Sequence, residues 1–221
     1  MAVVVITGAN RGVGLGLTKT YSARGDHVIA CVRQTSKELE ATGAEVHTGV
    51  DLRDRAAIID FSSSIPADTI DLIVNNAAIF VDRGPVEDTD IEVIEEELRV
   101  NVLGPLLLTR DLLNALRDGG KIAFVSSAIG SIEENELGLY YGYRMSKASI
   151  NMIVKNLSND LWSRKISTIA IHPGFVRTRL TDFAGEWSIE EAAEGMVKQI
   201  DRLTLDTSGT FWHQNGRQIA W

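Results

Sequence analysis

Cysteine, basic charge and long apolar runs are scarce in this sequence, and each shortage excludes a class of protein. Cys31 is the one cysteine among 221 residues, so neither an intramolecular disulfide nor a cysteine-based metal cluster can form. The 22 Lys and Arg residues are outnumbered by 30 Asp and Glu residues, and the net charge of -8 argues against a nucleic-acid partner, which requires a basic face. No apolar run approaches the roughly 18 residues of a membrane span, and no secretory leader is visible. The four histidines do not have the spacing of metal ligands. We therefore expect a cytoplasmic protein that contacts no membrane and holds no metal.

What the sequence has is a regular alternation of short apolar runs, rich in Val and Ile, with longer amphipathic stretches. Runs that are apolar on both faces are typical of buried parallel strands. The predicted strands are Val3–Thr7, His27–Val32, Glu45–Val50, Ile70–Asn75, Lys121–Ser126, Ser167–His172 and Gly209–Trp212. The predicted helices are Gly12–Arg24, Leu52–Ser63, Glu92–Arg117, Tyr143–Arg164 and Ile189–Leu203. This order predicts one α/β domain over residues 1–221 with a parallel sheet.

Three local patterns refine the prediction. Ser188 and Glu191 have the spacing of a capping box, which places the start of the last helix at Ile189. The acidic cluster Glu87–Glu97 and the segment Ser131–Leu139, which carries three glutamates, are expected to face solvent, because charge runs usually do.

A glycine-rich stretch follows the first predicted strand and opens the first predicted helix. It reads Thr7–Gly14, with glycines at positions 8, 12 and 14. Glycines let the chain turn tightly and let a pyrophosphate approach the backbone, while the free N–H groups of the helix N-terminus attract the anion. The Gly-x3-Gly-x-Gly spacing differs from the usual dinucleotide fingerprint, and a tight turn without a ligand is the alternative.

A second pattern places a phenol and an ammonium one helical turn apart. Tyr143 and Lys147 share a helix face. A neighbouring ammonium favours the phenolate, so we expect Lys147 to lower the pKa of Tyr143 and make the phenol a usable proton donor near neutral pH. The alternative is a surface pair without function, since such pairs arise by chance.

The conjunction of motifs decides between these alternatives. Along the chain the motifs are Thr7–Gly14, Asn75–Ala78, Asn101, Ser126-Ser127, Tyr143-x3-Lys147 and Pro173-Gly174. This order resembles the short-chain dehydrogenase/reductase family from Val3 to about Trp212. The segments Tyr143–Ala148 and Gly209–Phe211 are similar to the C-factor-like, carbonyl-reductase-like branch. The resemblance implies a Rossmann-type doubly wound parallel sheet of about seven strands with helices on both faces.

The resemblance also implies a catalytic set. Tyr143 gives the proton, Ser127 rather than Ser126 hydrogen-bonds the substrate carbonyl, Lys147 holds the nicotinamide ribose and tunes Tyr143, and Asn101 holds a water of the proton relay.

The implied cofactor site spans much of the carboxyl edge of the sheet. Its residues are Gly8, Asn10, Arg11, Gly12, Val13, Gly14, Arg33, Asp51, Leu52, Asn76, Ala77, Ala78, Tyr143, Lys147, Pro173, Gly174, Val176 and Thr178. Ala78 stands where the family has glycine. NADP(H) is the expected cofactor, because no acid ends the second strand to hold ribose hydroxyls, whereas Arg33 and Arg11 suit a 2′-phosphate. NAD(H) stays possible.

These implications predict an NADPH-dependent enzyme that reduces aldehydes or ketones. The alternatives are an NAD-dependent alcohol dehydrogenase and a dinucleotide-binding redox sensor that catalyses nothing. A short lid at about 178–188, with Leu180, Phe183 and Trp187, predicts an open apolar pocket for a small-molecule carbonyl or alcohol, although Phe183 and Trp187 could instead pack against the sheet. A homodimer or homotetramer is expected to form through the helices Glu92–Arg117 and Tyr143–Arg164.

Overall fold

The computed structural model describes residues 1–221 and contains one sheet of seven strands. The strands are β1 (Val3–Thr7), β2 (His27–Cys31), β3 (Glu45–His47), β4 (Ile70–Asn75), β5 (Leu116–Val125), β6 (Ser167–His172) and β7 (Thr210–His213). Their order across the sheet is β3-β2-β1-β4-β5-β6-β7, and every neighbouring pair is parallel. The chain reverses its direction of travel between β1 and β4, which opens a crevice at the carboxyl ends of these two strands.

Helices cover both faces of the sheet. They are α1 (Gly12–Ala23), α2 (Lys37–Glu40), α3 (Arg55–Ser64), α4 (Ile91–Leu98), α5 (Gly104–Leu112), α6 (Tyr141–Asp160) and α7 (Ile189–Arg202). Successive side chains of a strand point to opposite faces of the sheet, so alternate residues pack into two separate apolar cores. One core packs α3, α5 and α6 against residues such as Val5 and Ile73, and the other packs α1 and α7 against residues such as Val4 and Ile6. The predicted doubly wound architecture is confirmed.

The largest error of the sequence-based prediction concerns the helix expected over Glu92–Arg117. It is divided into α4, a π-helical turn (Arg99–Leu103) and α5, and the chain ends α5 at Leu112 to enter β5. Pro105 has no N–H to donate to the preceding turn, so a regular helix cannot run through this point. Gly104 packs so closely on Leu52 that a Cβ would lie 2.5 Å from the Leu52 carbonyl oxygen.

The ends of other elements also differ from the prediction. Helix α3 begins at Arg55 rather than Leu52, because the Asp54 carboxylate accepts hydrogen bonds from the first helical N–H groups. The four-residue helix α2 is too short to leave a periodic pattern. The capping box is confirmed, since the Ser188 hydroxyl and the Glu191 carboxylate each accept the other's backbone N–H, at 3.1 and 2.8 Å. No helix combines the length and the apolar character needed to cross a bilayer.

Helix α6 carries a lysine that is buried in the protein interior. The side chain of Lys147 is buried, and its ammonium donates one hydrogen bond, of 2.7 Å, to the Val125 carbonyl. Burial lowers the pKa of Lys147 to about 8, because the charged form loses hydration. The folded state therefore tolerates the Lys147 charge less well than water does.

We predict that Lys147→Met raises the free energy of unfolding of the cofactor-free protein by about 1–2 kcal/mol at pH 7, since the relief of charge burial exceeds the lost hydrogen bond. The folded-state pKa lies below the unfolded value of about 10.4, so the unfolded chain binds more protons between about pH 8 and 10.4. Wild-type stability should rise with pH across that window, and the variant should lose this rise. Urea unfolding at pH 7 to 10 measures both effects.

The matched control is Lys155→Met, because Lys155 is exposed on the same helix. This change should alter stability by less than about 0.5 kcal/mol and leave the pH dependence intact. A Lys147→Met protein less stable than wild type would contradict the prediction.

Candidate active site

The predicted site residues meet at the carboxyl ends of the central strands. Ser127 follows β5, Asn76 follows β4 and Gly8 follows β1, while Tyr143 and Lys147 occupy the first two turns of α6. The site therefore lies outside the strand ends, at the crevice where ligands of such folds bind.

The glycine loop leaves room for a bound group directly against the backbone. Gly8 and Gly12 have φ of +65° and +54°, a region that glycine adopts without strain. A Cβ on Gly14 would overlap the Gly8 carbonyl oxygen and the Asn76 amide. Helix α1 then starts without a side-chain cap, so its first N–H groups face the loop. This cradle fits the pyrophosphate of a dinucleotide.

Thr7 joins the ends of β1 and β4 beneath this loop. Its hydroxyl accepts the backbone N–H groups of Asn76 (2.9 Å) and Ala77 (3.0 Å), and the Asn76 amide donates to the Thr7 carbonyl (2.9 Å). Asn76 therefore joins the two strand ends, while its role beside the cofactor stays a prediction, and Thr7 has a part in this contact that sequence reasoning missed. The available signal was its position as the last residue of β1.

Asn101 is buried within the π-helical turn. Its side-chain oxygen accepts the Ile79 N–H (2.8 Å), and its amide donates to the Ile79 carbonyl (2.9 Å) and the Ser146 hydroxyl (3.1 Å). These bonds join the connection after β4 to α6, and the role in holding a relay water that the resemblance implies stays a prediction.

Tyr143 and Lys147 lie together, but their electrostatics differ from the expectation. The Lys147 ammonium is 5.4 Å from the centroid of the Tyr143 ring. Burial, with a smaller contribution from the Glu97 carboxyl, raises the pKa of Tyr143 above its ordinary value. The expected lowering of the Tyr143 pKa by Lys147 is therefore wrong for this structure. The phenol stays protonated throughout the neutral range.

The two adjacent serines are distinguished by their surroundings. Ser126 is buried, and its hydroxyl donates to the Asn151 side-chain oxygen at 2.7 Å. Ser127 is half-buried at the start of the turn Ala128–Gly130. Because the Ser126 hydroxyl already donates its hydrogen bond to Asn151, Ser127 is favoured as the serine available to a substrate.

Sequence reasoning missed Phe80, whose ring centroid is 4.4 Å from that of Tyr143. The Arg83 guanidinium lies over the Phe80 ring, 4.7 Å from its centroid, and pairs with Asp182 at 2.6 Å. A signal existed in the position of Phe80, four residues after Asn76. That signal did not distinguish a site residue from a core residue, because an apolar side chain at position 80 would also fit a place in the hydrophobic core.

Glu97 corrects the interpretation of the acidic cluster. Most members of Glu87–Glu97 are exposed as expected, but Glu97 is completely buried and accepts the backbone N–H groups of Val81 (2.5 Å) and Asp82 (3.2 Å). Burial raises the pKa of Glu97, and its second oxygen has no partner. Glu97 thus holds the segment that carries Phe80.

The region beyond the glycine loop is cationic and open. Arg11 and Arg33 are both exposed, and the Asn10 amide donates to the Gln34 carbonyl at 3.0 Å, which ties the end of β2 to the glycine loop. Asp51, expected near an adenine ring, pairs with Arg53, and this contact lowers the pKa of Asp51. Leu52, beside it, is buried.

The segment at about 178–188, predicted to form a lid, follows Pro173-Gly174. Trp187 packs against Gly174, where a Cβ would come within 2.7 Å of the indole, whereas Phe183 is 64% exposed. Val176 is buried and pairs in a β-bridge with Trp187, and Thr178 caps a short turn at Arg179–Thr181. Of the two aromatic residues of this segment, Trp187 packs inward and Phe183 is exposed. The glutamates of Ser131–Leu139 face solvent as expected.

Comparison with known proteins agrees with this geometry. The family model described as short chain dehydrogenase matches residues 2–189. The chain is 34% identical over 226 residues to the 1-hydroxy-2-glutathionyl-2-methyl-3-butene dehydrogenase of Rhodococcus sp. (strain AD45), covering 100% of both chains. It is 32% identical over 163 residues to the C-signal protein of Myxococcus xanthus, covering 73% of this chain and 98% of that protein. The crystal structure of NADPH-bound carbonyl reductase from chicken fatty liver matches with a TM-score of 0.90 and 26% identity, covering 100% of this chain and 99% of that one. The predicted resemblance is confirmed, and the chain belongs to the short chain dehydrogenase family.

Proposed function

We propose that this protein is an NADP(H)-dependent reductase of aldehyde or ketone carbonyl groups. The observation that carries the proposal is the meeting of Ser127, Tyr143 and Lys147 beside the glycine cradle at the carboxyl edge of the sheet. The match to an NADPH-bound carbonyl reductase supports the same reaction and cofactor.

The chemistry follows from the protonation states of the site. A bound nicotinamide supplies the hydride. Tyr143 keeps its proton at neutral pH and donates it to the substrate oxygen as charge develops there, and the Ser127 hydroxyl donates a second hydrogen bond. The Lys147 ammonium stabilises the phenolate that remains.

The cofactor is assigned to the cradle and its surroundings. Gly8–Gly14 would hold the pyrophosphate, and Asp51 and Leu52 would border the adenine. Arg11 and Arg33 would meet the 2′-phosphate, since both are exposed and no carboxylate ends β2. Asn76–Ala78, Pro173, Gly174, Val176 and Thr178 would line the nicotinamide side.

Two alternatives are less well supported. The Rhodococcus relative is named a dehydrogenase, which favours alcohol oxidation as a second candidate function, but an NAD-dependent form would lack a carboxylate at the end of β2. A redox sensor without catalysis would not need Asn101, Ser127, Tyr143 and Lys147 together.

We infer that the substrate pocket is open and apolar at its rim. The inference is supported by three exposed apolar side chains in the segments that follow β6 and precede α6, namely Phe183, Phe175 and Leu139, which expose 64%, 48% and 36% of their surface. A short lid encloses a large ligand incompletely, so we infer activity on several hydrophobic carbonyl compounds with modest discrimination among them.

We also propose that two copies pair through α5 and α6. Leu106 on α5, Leu103 beside it, and Met145 and Met152 on α6 are exposed apolar side chains on this helix pair. Exposed apolar patches of this kind mark association sites.

A cytoplasmic location is part of the proposal and is supported by the single, unpaired Cys31.

Tyr143→Phe should retain cofactor binding and lose turnover by at least about 10²-fold, because the change removes the proton donor and keeps the ring. NADPH fluorescence titration measures binding, and NADPH consumption with a panel of aldehydes, ketones and quinones measures turnover. Turnover close to that of wild type would contradict the proposed function.

Arg33→Glu should lower the preference for NADPH over NADH by about 10-fold or more, because a charge-assisted contact with the 2′-phosphate is replaced by repulsion. The ratio of kcat/KM for the two cofactors measures this. Lys37→Glu is the matched control, since Lys37 is a nearby exposed cation at the start of α2. An equal effect of both changes, or a wild-type preference for NADH, would argue against the assignment of Arg33.

Met152→Glu should shift the protein towards the monomer, because it buries a charge in the proposed interface. Sedimentation velocity measures the change, with exposed Lys155→Glu on the same helix as the control. A monomeric wild-type protein would exclude the proposed pairing.

A further inference from the structure

The loop that precedes α6 contains three successive residues in the left-handed backbone region. Their φ angles are +66° at Gly138, +58° at Leu139 and +56° at Tyr140. Glycine adopts this conformation freely, whereas Leu139 and Tyr140 adopt it at a cost in free energy. Such conformations persist only where surrounding contacts hold them, and they concentrate at functional sites.

Arg144 provides those contacts. Its Nε donates to the carbonyls of Gly138 (2.8 Å) and Leu139 (3.1 Å), and its Nη1 donates to the Ile129 carbonyl (2.8 Å). Ile129 lies in the turn that follows Ser127. Arg144 forms no ion pair with a carboxylate. Its guanidinium instead joins the loop before α6 to the turn that follows Ser127, beside the crevice.

The position of the Tyr140 ring follows from this arrangement. The ring meets Phe80 edge to face at 5.3 Å and 86°, and Phe80 in turn lies 4.4 Å from Tyr143. The Arg144 guanidinium lies 5.9 Å from the Tyr140 ring centroid. Tyr140, Phe80 and Tyr143 thus form a continuous aromatic wall, which we call the Tyr140–Phe80 wall.

We infer that Arg144 is a positioning residue that sets substrate selectivity by holding Tyr140 in the Tyr140–Phe80 wall. Arg144 acts through Tyr140 and not on the reacting atoms. A flat aromatic substrate gains contact with this wall, whereas a short aliphatic one does not extend across it. The inference rests on the proposed carbonyl reduction at Tyr143.

Arg144→Ala should lower kcat/KM for benzaldehyde by about 10-fold, mainly through KM, and change that for propanal by less than about 2-fold, as expected for the loss of aromatic contacts alone. NADPH binding should be retained, as measured by fluorescence titration. The control is Arg164→Ala. Arg164 likewise donates to backbone carbonyls, those of Leu113 and Leu116, at the opposite end of the sheet. Arg164→Ala should lower the free energy of unfolding without changing the ratio of kcat/KM for benzaldehyde to kcat/KM for propanal.

Tyr140→Ala keeps the inference testable if Arg144→Ala folds poorly, and the two changes together complete a double-mutant cycle. Tyr140→Ala alone should reproduce the loss of benzaldehyde selectivity, and adding Arg144→Ala should change the ratio no further. An unchanged ratio in Arg144→Ala, an equal loss with both aldehydes, or full additivity of the two changes would each overturn the inference, while reduction of propanal by the wild-type protein would still support the proposed function. A wild-type protein that reduces neither aldehyde would overturn the proposed function itself.

Discussion

The hydrogen bonds that Thr7 makes with the start of the connection after β4 underlie the rest of the site. β1 and β4 are paired neighbours, and the chain leaves them in opposite directions, so the segments that follow them diverge beyond the last paired residues. The Thr7 hydroxyl accepts two backbone N–H groups, and the Asn76 amide returns a third bond. This tie holds the glycine cradle on one side of the crevice at a set distance from the connection that leads to Phe80.

That connection is held in turn by side chains from one helix. Glu97 and Asn101, four residues apart, bind the main chain of Val81, Asp82 and Ile79 from the end of α4 and the π-helical turn. Both side chains are buried, so their hydrogen bonds form without competition from water. Phe80 lies between these attachment points, which explains how its ring is kept against Tyr143.

Burial has opposite consequences for the two ionisable groups at the centre of the site. It raises the pKa of Tyr143 and lowers that of Lys147 to about 8, because each group loses hydration in its charged form. The phenol therefore holds a proton that it can donate, and the ammonium carries a charge that the fold tolerates poorly. Such a site lowers the stability of the fold in exchange for the chemistry, which is common where polar groups are gathered for function.

The sequence by itself determined the parallel sheet, the glycine cradle and the spacing of Tyr143 and Lys147, because strand patterns, glycine positions and helical periodicity are local properties of the chain. The fold decided the division of the predicted helix at the π-helical turn, the burial of Glu97, the contact of Phe80 with Tyr143 and the attachment of Arg144 to the Gly138–Tyr140 turn. Each of these features joins groups from different elements. Protonation states belong to the same class, since the raised pKa of Tyr143 follows from the burial of the phenol, which the spacing to Lys147 in the sequence does not reveal.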